Sequence, residues 1–164
     1  DPGKVFLIYG RNKKAPGAKD IIIEELKKKG IEVKVLNRGE TTHHILTEIL
    51  MMMNQCSVCI ALCTPDDFVQ DADEKEYYQP RQNVVVEMGM IAGIANGIKR
   101  LIILQRIGPT DEYTAHIPTD FSGILSLSFR EENLSDIWGQ LYKALKAPEN
   151  NRAGISPPAS IMTE

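Results

Sequence analysis

One acidic side chain stands among apolar residues, where a charge is costly. Glu87 lies in the stretch PRQNVVVEMGMIAGIANG, residues 80–97, whose large apolar side chains recur with helical spacing. On a helix of about 100° per residue, Met90, Ile91 and Ile94 all fall within about 60° of Glu87, so the carboxylate occupies the middle of the apolar stripe. A buried carboxylate without a partner is unstable, and Glu87 must therefore be paired, hydrogen-bonded or open to a cleft.

The same spacing predicts a helix from about Val84 to Asn96, with Asn83 as its N-cap. Glu87 would then stand in the first turn, where the positive end of the helix dipole stabilises an anion. Two interpretations remain open: a functional carboxylate at a ligand site, or a structural ion pair with an arginine. The arginines considered for such a pair are Arg11, Arg38 and Arg81.

The opposite side of this predicted helix carries only small or polar residues. They are Gly89, Ala92, Gly93 and Asn96. Each interior glycine costs about 1 kcal/mol relative to alanine. We therefore expect a compensating close approach of another surface on this side.

Two polar motifs follow predicted strands. YGRN, residues 9–12, comes after the first strand and offers Arg11 to a phosphate or a carboxylate, although the same residues suit an ordinary turn. TPDDF, residues 64–68, ends another strand and offers carboxylates to ribose hydroxyls, although a turn is the more usual meaning of such a motif. Neither the GxGxxG motif nor a P-loop occurs in the sequence.

No metal or redox site is predicted from the cysteines, acidic residues or histidines. Cys56, Cys59 and Cys63 lie in one apolar strand, where side chains three apart point to opposite faces. Cys59 and Cys63 share a face but are about 13 Å apart along the strand, too far to bind one zinc ion. We interpret all three as small buried hydrophobic residues. The acidic run at 71–76 lacks the glycine and final glutamate of an EF-hand, and the histidines lack ligand spacing.

Strand and helix patterns alternate along the chain. Strands are predicted at residues 4–10, 31–36, 56–63, 101–105 and 123–129, and helices at residues 15–29, 42–54, 84–96 and 134–146. Polar loops are expected at residues 64–82 and 107–120. The mostly unbroken apolar strands predict a flavodoxin-like, doubly wound, parallel five-stranded sheet, with the alternating last strand at an edge. Ligands should bind beyond the carboxyl ends of the strands, near the loops after Gly10 and Cys63 and the start of the third helix.

Composition limits the class of protein. The 164 residues suffice for one domain with a core, and the net charge of −3 gives no reason to expect nucleic acid or an anionic membrane as partner. No apolar run approaches the roughly 20 residues that span a bilayer, and the odd cysteine number without a visible signal peptide indicates the cytoplasm. We expect one domain at residues 4–147. Residues 148–164, rich in Pro, Asn and Ser, are expected to be a linker toward a further module.

Three blocks together resemble a known family. VFLIYGRN near the start, followed by LCTPDD and RQNVVVEMGMIAG, is similar to the bacterial TIR-like domains of anti-phage defence, which occur fused to STING-type or other cyclic-nucleotide-sensing modules. The similarity covers residues 4–146. Its most specific block is residues 81–93, where the family usually reads RPNV, an aromatic residue and E-x-G. This chain has Gln82 in place of the proline and Val86 in place of the aromatic residue.

The resemblance implies an enzyme that cleaves NAD⁺ at the nicotinamide–ribose bond, giving nicotinamide and ADP-ribose or a cyclic isomer, when copies of the domain assemble. Glu87 matches the family's catalytic glutamate. NAD⁺ is then a substrate, and no separate cofactor is expected. The expected substrate-binding residues are Tyr9, Gly10, Arg11, Asp66, Asp67 and Asn83.

The chemistry of this bond is compatible with a single carboxylate. Nicotinamide leaves as a neutral group, so that no general acid is needed. The ribose gains oxocarbenium character as the bond breaks, as in glycoside hydrolysis, and one preorganised carboxylate stabilises that charge.

Alternatives from other classes remain. A nucleoside 2-deoxyribosyltransferase has a doubly wound sheet and a glutamate early in a helix, and it also breaks an N-glycosidic bond; the linker-like tail and the TPDD block speak against it. A TIR-like module that only mediates assembly is the non-enzymatic alternative. A flavin or receiver domain comes third, because a receiver needs an acidic pair after the first strand and YGRN supplies none.

Overall fold

The strands predicted from the sequence form one sheet in the computed structural model, which describes residues 3–36 and 44–147. In chain order the elements are β1 (Lys4–Tyr9), α1 (Ala18–Lys28), β2 (Glu32–Val35), α2 (Ile45–Gln55), β3 (Val58–Cys63), β4 (Asp67–Gln70), β5 (Glu76–Gln79), α3 (Gln82–Gly93), α4 (Gly97–Arg100), β6 (Leu101–Arg106), β7 (Ser126–Phe129) and α5 (Trp138–Lys146). Short 3₁₀ turns lie at Asp111–Tyr113, Thr119–Phe121 and Glu131–Ile137.

The main sheet has five strands in the order β2-β1-β3-β6-β7, and each neighbouring pair is parallel. This confirms the flavodoxin-like doubly wound sheet, with β7 at an edge as its alternating pattern predicted. Strand order reverses between β1 and β3, where in register Tyr9 lies opposite Leu62. The crevice beyond the carboxyl ends of these two strands is therefore the place at which such sheets bind ligands.

Two apolar layers cover the sheet. On one face, β1 residues such as Leu7 pack with Ile22 of α1 and Leu141 of α5. On the other face, Phe6 packs with Ile49 of α2 and with residues of α3. All residues of β3 and β6 are buried, which explains their continuous apolar runs in the sequence. The helix that carries Glu87 thus belongs to the second layer.

The segment predicted as one polar loop, residues 64–82, contains a β-hairpin, so that prediction was wrong. β4 and β5 pair antiparallel as a separate two-stranded sheet. Phe68 and Tyr78 face each other across the pair with ring centroids 5.4 Å apart. The connecting turn is closed by Asp71, whose carboxylate accepts hydrogen bonds from two backbone N–H groups of the turn. The strands were not predicted because they are short and flank an acidic turn, so the whole segment has the composition of a polar loop.

The third helix starts and ends earlier than its pattern predicted. It begins at Gln82, two residues before the expected start, and Asn83 lies inside it instead of capping it. It ends at Gly93, and the chain turns at Asn96, which has a positive φ of 59°. A Cβ on Gly97 would collide with the Ile91 carbonyl, so glycine allows the chain to fold back over the end of the helix.

Other boundaries differ less. The last predicted helix begins as a 3₁₀ turn and becomes α-helical only at Trp138. The second helix starts at Ile45, while the first residues predicted for it and the tail at 148–164 lie outside the described residues. Within residues 3–36 and 44–147, none of the helices is both long and apolar enough to span a bilayer.

Candidate active site around Glu87

Glu87 is buried on the apolar face of α3, as the helical spacing predicted. Its side of the helix is shared by Val84, Met88 and Ile91, and only 3% of the Glu87 surface is exposed. Because α3 begins at Gln82, Glu87 stands in the second turn, and the expectation of a first-turn position was wrong. The effect of the helix dipole falls off within the first turn, so it stabilises an anion at Glu87 less than a first-turn position would.

A small cavity gives Glu87 access to a ligand. Glu87 and Asn83, one helical turn apart, line a space of about 230 Å³ together with Val86 and with Ile45 and Leu46 at the start of α2. The walls other than Glu87 and Asn83 are apolar. Since α2 and α3 both start at the carboxyl edge of the sheet, the cavity lies where doubly wound folds bind ligands. Of the predicted binding residues, Asn83 is the one that lines the cavity with Glu87.

The alternative interpretation of Glu87 is an ion pair with one of three arginines. The Arg11 side chain is exposed on the loop between β1 and α1. Arg81 is the N-cap residue of α3, without a side-chain capping bond, and Arg38 lies outside the described residues. The burial of Glu87 beside a cavity is compatible with the functional interpretation, which stays a prediction.

Asp66 connects the end of β3 to the first loop, residues 10–17 between β1 and α1. Its carboxylate accepts hydrogen bonds from the backbone N–H groups of Arg11 (3.1 Å) and Asn12 (3.2 Å). The Thr64 hydroxyl donates to the same carboxylate at 2.9 Å. The Asp66 N–H donates to the carbonyl of Gln79 at 3.0 Å, so that Asp66 also holds the hairpin.

Asp67 has a different partner. Its carboxylate accepts a hydrogen bond from the backbone N–H of Gln82 at 2.9 Å and thereby caps α3. Both aspartates of the TPDD motif therefore organise the backbone around the site. Sequence reasoning did not single out Thr64 or Asn12, which complete this network; the relevant signal was an asparagine two residues after a glycine, in a turn that tolerates a left-handed conformation.

Tyr9 and Gly10, at the end of β1, have different surroundings. The Tyr9 ring packs against the layer formed by α1 and α5, with the Lys19 ammonium 4.7 Å from the ring centroid. It therefore lies on the other side of the sheet from the layer that contains Glu87. Gly10 lies beneath the Asp66 carboxylate, and a Cβ there would collide with Asp66 Oδ2.

His116 lines a second cleft of about 300 Å³ with Tyr77, Gln79 and Thr119. Its ring packs edge to face on Tyr77, and its two ring nitrogens are buried without a hydrogen-bond partner within residues 3–36 and 44–147. Burial lowers the pKa of His116 from its ordinary value, an effect to which Lys75 adds and which Asp111 opposes. The imidazole is therefore neutral near pH 7.

The small-residue side of α3 faces a shallow groove of about 490 Å³. Gly89 and Gly93 line it, and a Cβ on either residue would meet nothing within 4 Å. Packing inside the described domain therefore does not require glycine at these two positions.

The cysteines behave as buried apolar residues. All three are buried and free, and burial raises the pKa of the Cys59 and Cys63 thiols well above the ordinary range. A thiol held neutral is neither a nucleophile nor a metal ligand. In the part of the chain that the structure describes, His, Cys, Asp and Glu side chains form no group of three or more suited to hold a metal ion.

The parallel order β2-β1-β3-β6-β7, with a buried glutamate on a helix that starts at the carboxyl edge of the sheet, defines a flavodoxin-like α/β domain and is consistent with the TIR fold. The chain matches the family model described as CAP12/Pycsar effector protein, TIR domain, over residues 4–131. It belongs to this family of bacterial anti-phage effectors.

A relative and a solved structure are also similar to the chain. The Pycsar effector protein BcPycTIR of Burkholderia cepacia is 28% identical over 102 residues, which are 61% of this chain and 32% of the relative. The match thus spans about a third of that protein. A diflavin flavoprotein A3 from Nostoc sp. aligns with 87% of this chain and 94% of its own at 16% identity and a TM-score of 0.41. That likeness is too distant to indicate function.

Proposed function

We propose that this domain is an NAD⁺ glycohydrolase that cleaves the nicotinamide–ribose bond and acts as the effector of an anti-phage protein. The observation that carries the proposal is the position of Glu87, buried on α3 and lining a cavity at the carboxyl edge of the sheet. Membership of the CAP12/Pycsar TIR family supports the effector role. Nicotinamide and ADP-ribose, or a cyclic isomer of it, are the expected products.

The surroundings of Glu87 suit this reaction. As the C–N bond breaks, its electron pair leaves with neutral nicotinamide, and positive charge develops on the ribose. A carboxylate in a largely apolar cavity stabilises that charge, and does so most strongly once the cavity is covered and water is excluded, because its field is then little screened. Water, or an oxygen or nitrogen of the same nucleotide in a cyclisation, then bonds to the anomeric carbon. Asn83 lines the same cavity one turn before Glu87 and would bind a ribose hydroxyl.

The cavity also supports activation by assembly. At about 230 Å³ it is smaller than the roughly 300–1,000 Å³ of pockets that enclose a whole ligand, and NAD⁺ is a large ligand. Leu46 and Val86 at its rim are 41% and 49% exposed. A second copy of the domain would complete the pocket and cover this apolar rim. In the whole protein, a sensing module joined through residues 148–164 would bring the copies together in the cytoplasm.

The decisive experiment is an assay of the purified chain with NAD⁺, in which released nicotinamide and the nucleotide product are separated and quantified. A parallel assay offers a 2′-deoxynucleoside and a free base and measures base exchange. We expect nicotinamide release at high protein concentration and no exchange. Exchange without NAD⁺ cleavage would identify a deoxyribosyltransferase instead. Inactivity in both assays, with the chain forced into clusters, would favour a module that only mediates assembly.

A further inference from the structure

The backbone of the first loop forms an anion-binding concavity. The consecutive N–H groups of Arg11 and Asn12 both point to the carboxylate of Asp66, at 3.1 and 3.2 Å. Asn12 has a positive φ of 56°, although it is not glycine. Successive N–H groups that converge through a left-handed residue form the concavity, called a nest, that binds phosphates and other anions in many proteins.

The surrounding residues are shaped for the carboxylate in this nest. Gly10 leaves the space that Asp66 Oδ2 occupies, since a Cβ would collide with it. The Thr64 hydroxyl donates to Asp66 Oδ1 at 2.9 Å and lies 3.1 Å from the side-chain oxygen of Asn12. Asparagine tolerates left-handed backbone better than most residues other than glycine, and these contacts hold Asn12 in that conformation.

The nest lies where related sheets bind the phosphate of a ligand. It directly follows β1 at the crevice between β1 and β3, and in doubly wound folds the first βα turn holds the phosphate of a bound nucleotide. In this chain the same backbone donors already have an internal partner. A ligand phosphate would have to displace a carboxylate that accepts three hydrogen bonds.

We propose that Asp66 is the resident anion of the first loop, so that this chain does not take a ligand phosphate on the backbone after β1. The carboxylate replaces the phosphate structurally, and it fixes the loop before any ligand arrives. If NAD⁺ is the substrate, which rests on the proposed function, its diphosphate must be bound by groups other than these two backbone N–H groups. The Arg11 guanidinium, exposed while its own N–H is held by Asp66, is the candidate on this loop. Asp66 is then a positioning residue that determines how substrate binds.

The proposal predicts that removal of the Asp66 carboxylate allows the nest to bind phosphate. Asp66→Ala removes the carboxylate and leaves the two N–H groups free to donate hydrogen bonds to inorganic phosphate in its place. We expect Asp66→Ala to lower the melting temperature, and phosphate at about ten times its dissociation constant to raise it again by roughly 3–6 °C. Sodium chloride at equal ionic strength should not do so. Asp73→Ala is the matched control, because it removes the same charge from an exposed side chain in the hairpin turn and leaves both the nest and the start of α3 unchanged.

The wild-type chain gives a second readout that does not depend on the stability of a variant. In ¹H–¹⁵N spectra, the amide signals of Arg11 and Asn12 should not move when phosphate is added to wild type. In Asp66→Ala they should move in a saturable manner. Movement of both signals in wild type, or an equal phosphate effect on the Asp66→Ala and Asp73→Ala variants, would overturn the proposal. Neither measurement uses NAD⁺, so their outcome is independent of whether the chain is an NAD⁺ glycohydrolase.

Discussion

The carboxylate of Asp67 accepts a hydrogen bond from the backbone N–H of Gln82, fifteen residues later, at 2.9 Å. Gln82 is the first residue of α3, the helix on which Glu87 is buried. The preceding residue, Asp66, accepts hydrogen bonds from the backbone of the first loop. Two adjacent aspartates thus connect the end of β3 to the loop after β1 and to the helix of the candidate catalytic residue.

Substitution of Glu87 by glutamine should abolish NAD⁺ cleavage and leave the fold intact. The side chain keeps its size and loses its charge, so that stabilisation of the developing cation is lost. Loss of a single electrostatic contact of this kind lowers turnover by about 10²–10³-fold or more. Nicotinamide release and thermal melting measure the two effects, and Glu24→Gln on the exposed side of α1 is the control. A folded Glu87→Gln variant with wild-type turnover would remove Glu87 from the mechanism.

Removing the cap of α3 should destabilise the domain. Asp67→Ala leaves the N–H of Gln82 without its carboxylate partner, and loss of a helix cap costs about 0.5–2 kcal/mol. The free energy of unfolding, measured with urea, gives the cost. Asp73→Ala is the control, since its exposed carboxylate lies in the hairpin turn away from the helix. Equal stability of the two variants would show that the cap contributes nothing.

Alanine should have opposite effects at two glycines. Gly10→Ala forces the Asp66 carboxylate out of place, and such overpacking costs about 1–3 kcal/mol. Gly89→Ala adds a methyl group that meets nothing on the exposed side of α3, so it should stabilise the domain by about 1 kcal/mol. Urea unfolding of both variants tests the contrast, and a stable Gly10→Ala variant would contradict the packing described for Asp66.

Activity per molecule should rise with protein concentration. If a second copy completes the cavity beside Glu87, most cavities are incomplete in a dilute sample. Clustering raises the effective concentration of the second copy. Initial rates over a wide concentration range, with light scattering on the same samples, provide the measurement. A rate strictly proportional to concentration in a monomeric sample would contradict activation by assembly but leave the role of Glu87 intact.

Acidification should weaken the domain partly through His116. Burial lowers the pKa of this imidazole in the folded state below its ordinary value of 6.5. Just below that value the unfolded chain binds more protons than the folded one, so stability falls as pH falls, until the folded pKa is passed. His116→Phe keeps a ring against Tyr77 and removes the titration. Its unfolding free energy should decline less than that of wild type between about pH 7 and 5; identical slopes would refute the prediction.

The sequence by itself determined the elements whose signal is local. Apolar runs that were mostly continuous, and alternating in the last strand, identified the strands of the main sheet. The order of strands and helices then led to the parallel doubly wound sheet that the structure has. Helical periodicity placed Glu87 among Ile91 and other apolar residues on the buried side of α3, because the direction of a side chain on a helix follows from spacing alone.

The tertiary structure decided everything that depends on residues distant along the chain. The Asp66 motif suggested ligand contact, yet its carboxylate bonds to Asn12, 54 residues earlier. Asn83 is a residue type that often caps helices, yet α3 starts before it. The Asp67 carboxylate, from outside the helix, accepts the hydrogen bond of the Gln82 N–H. Hydrogen bonds of this kind depend on which strand ends meet at the edge of the sheet. Local propensity does not predict which strand ends become neighbours. Packing of the whole chain brings these groups within hydrogen-bonding distance.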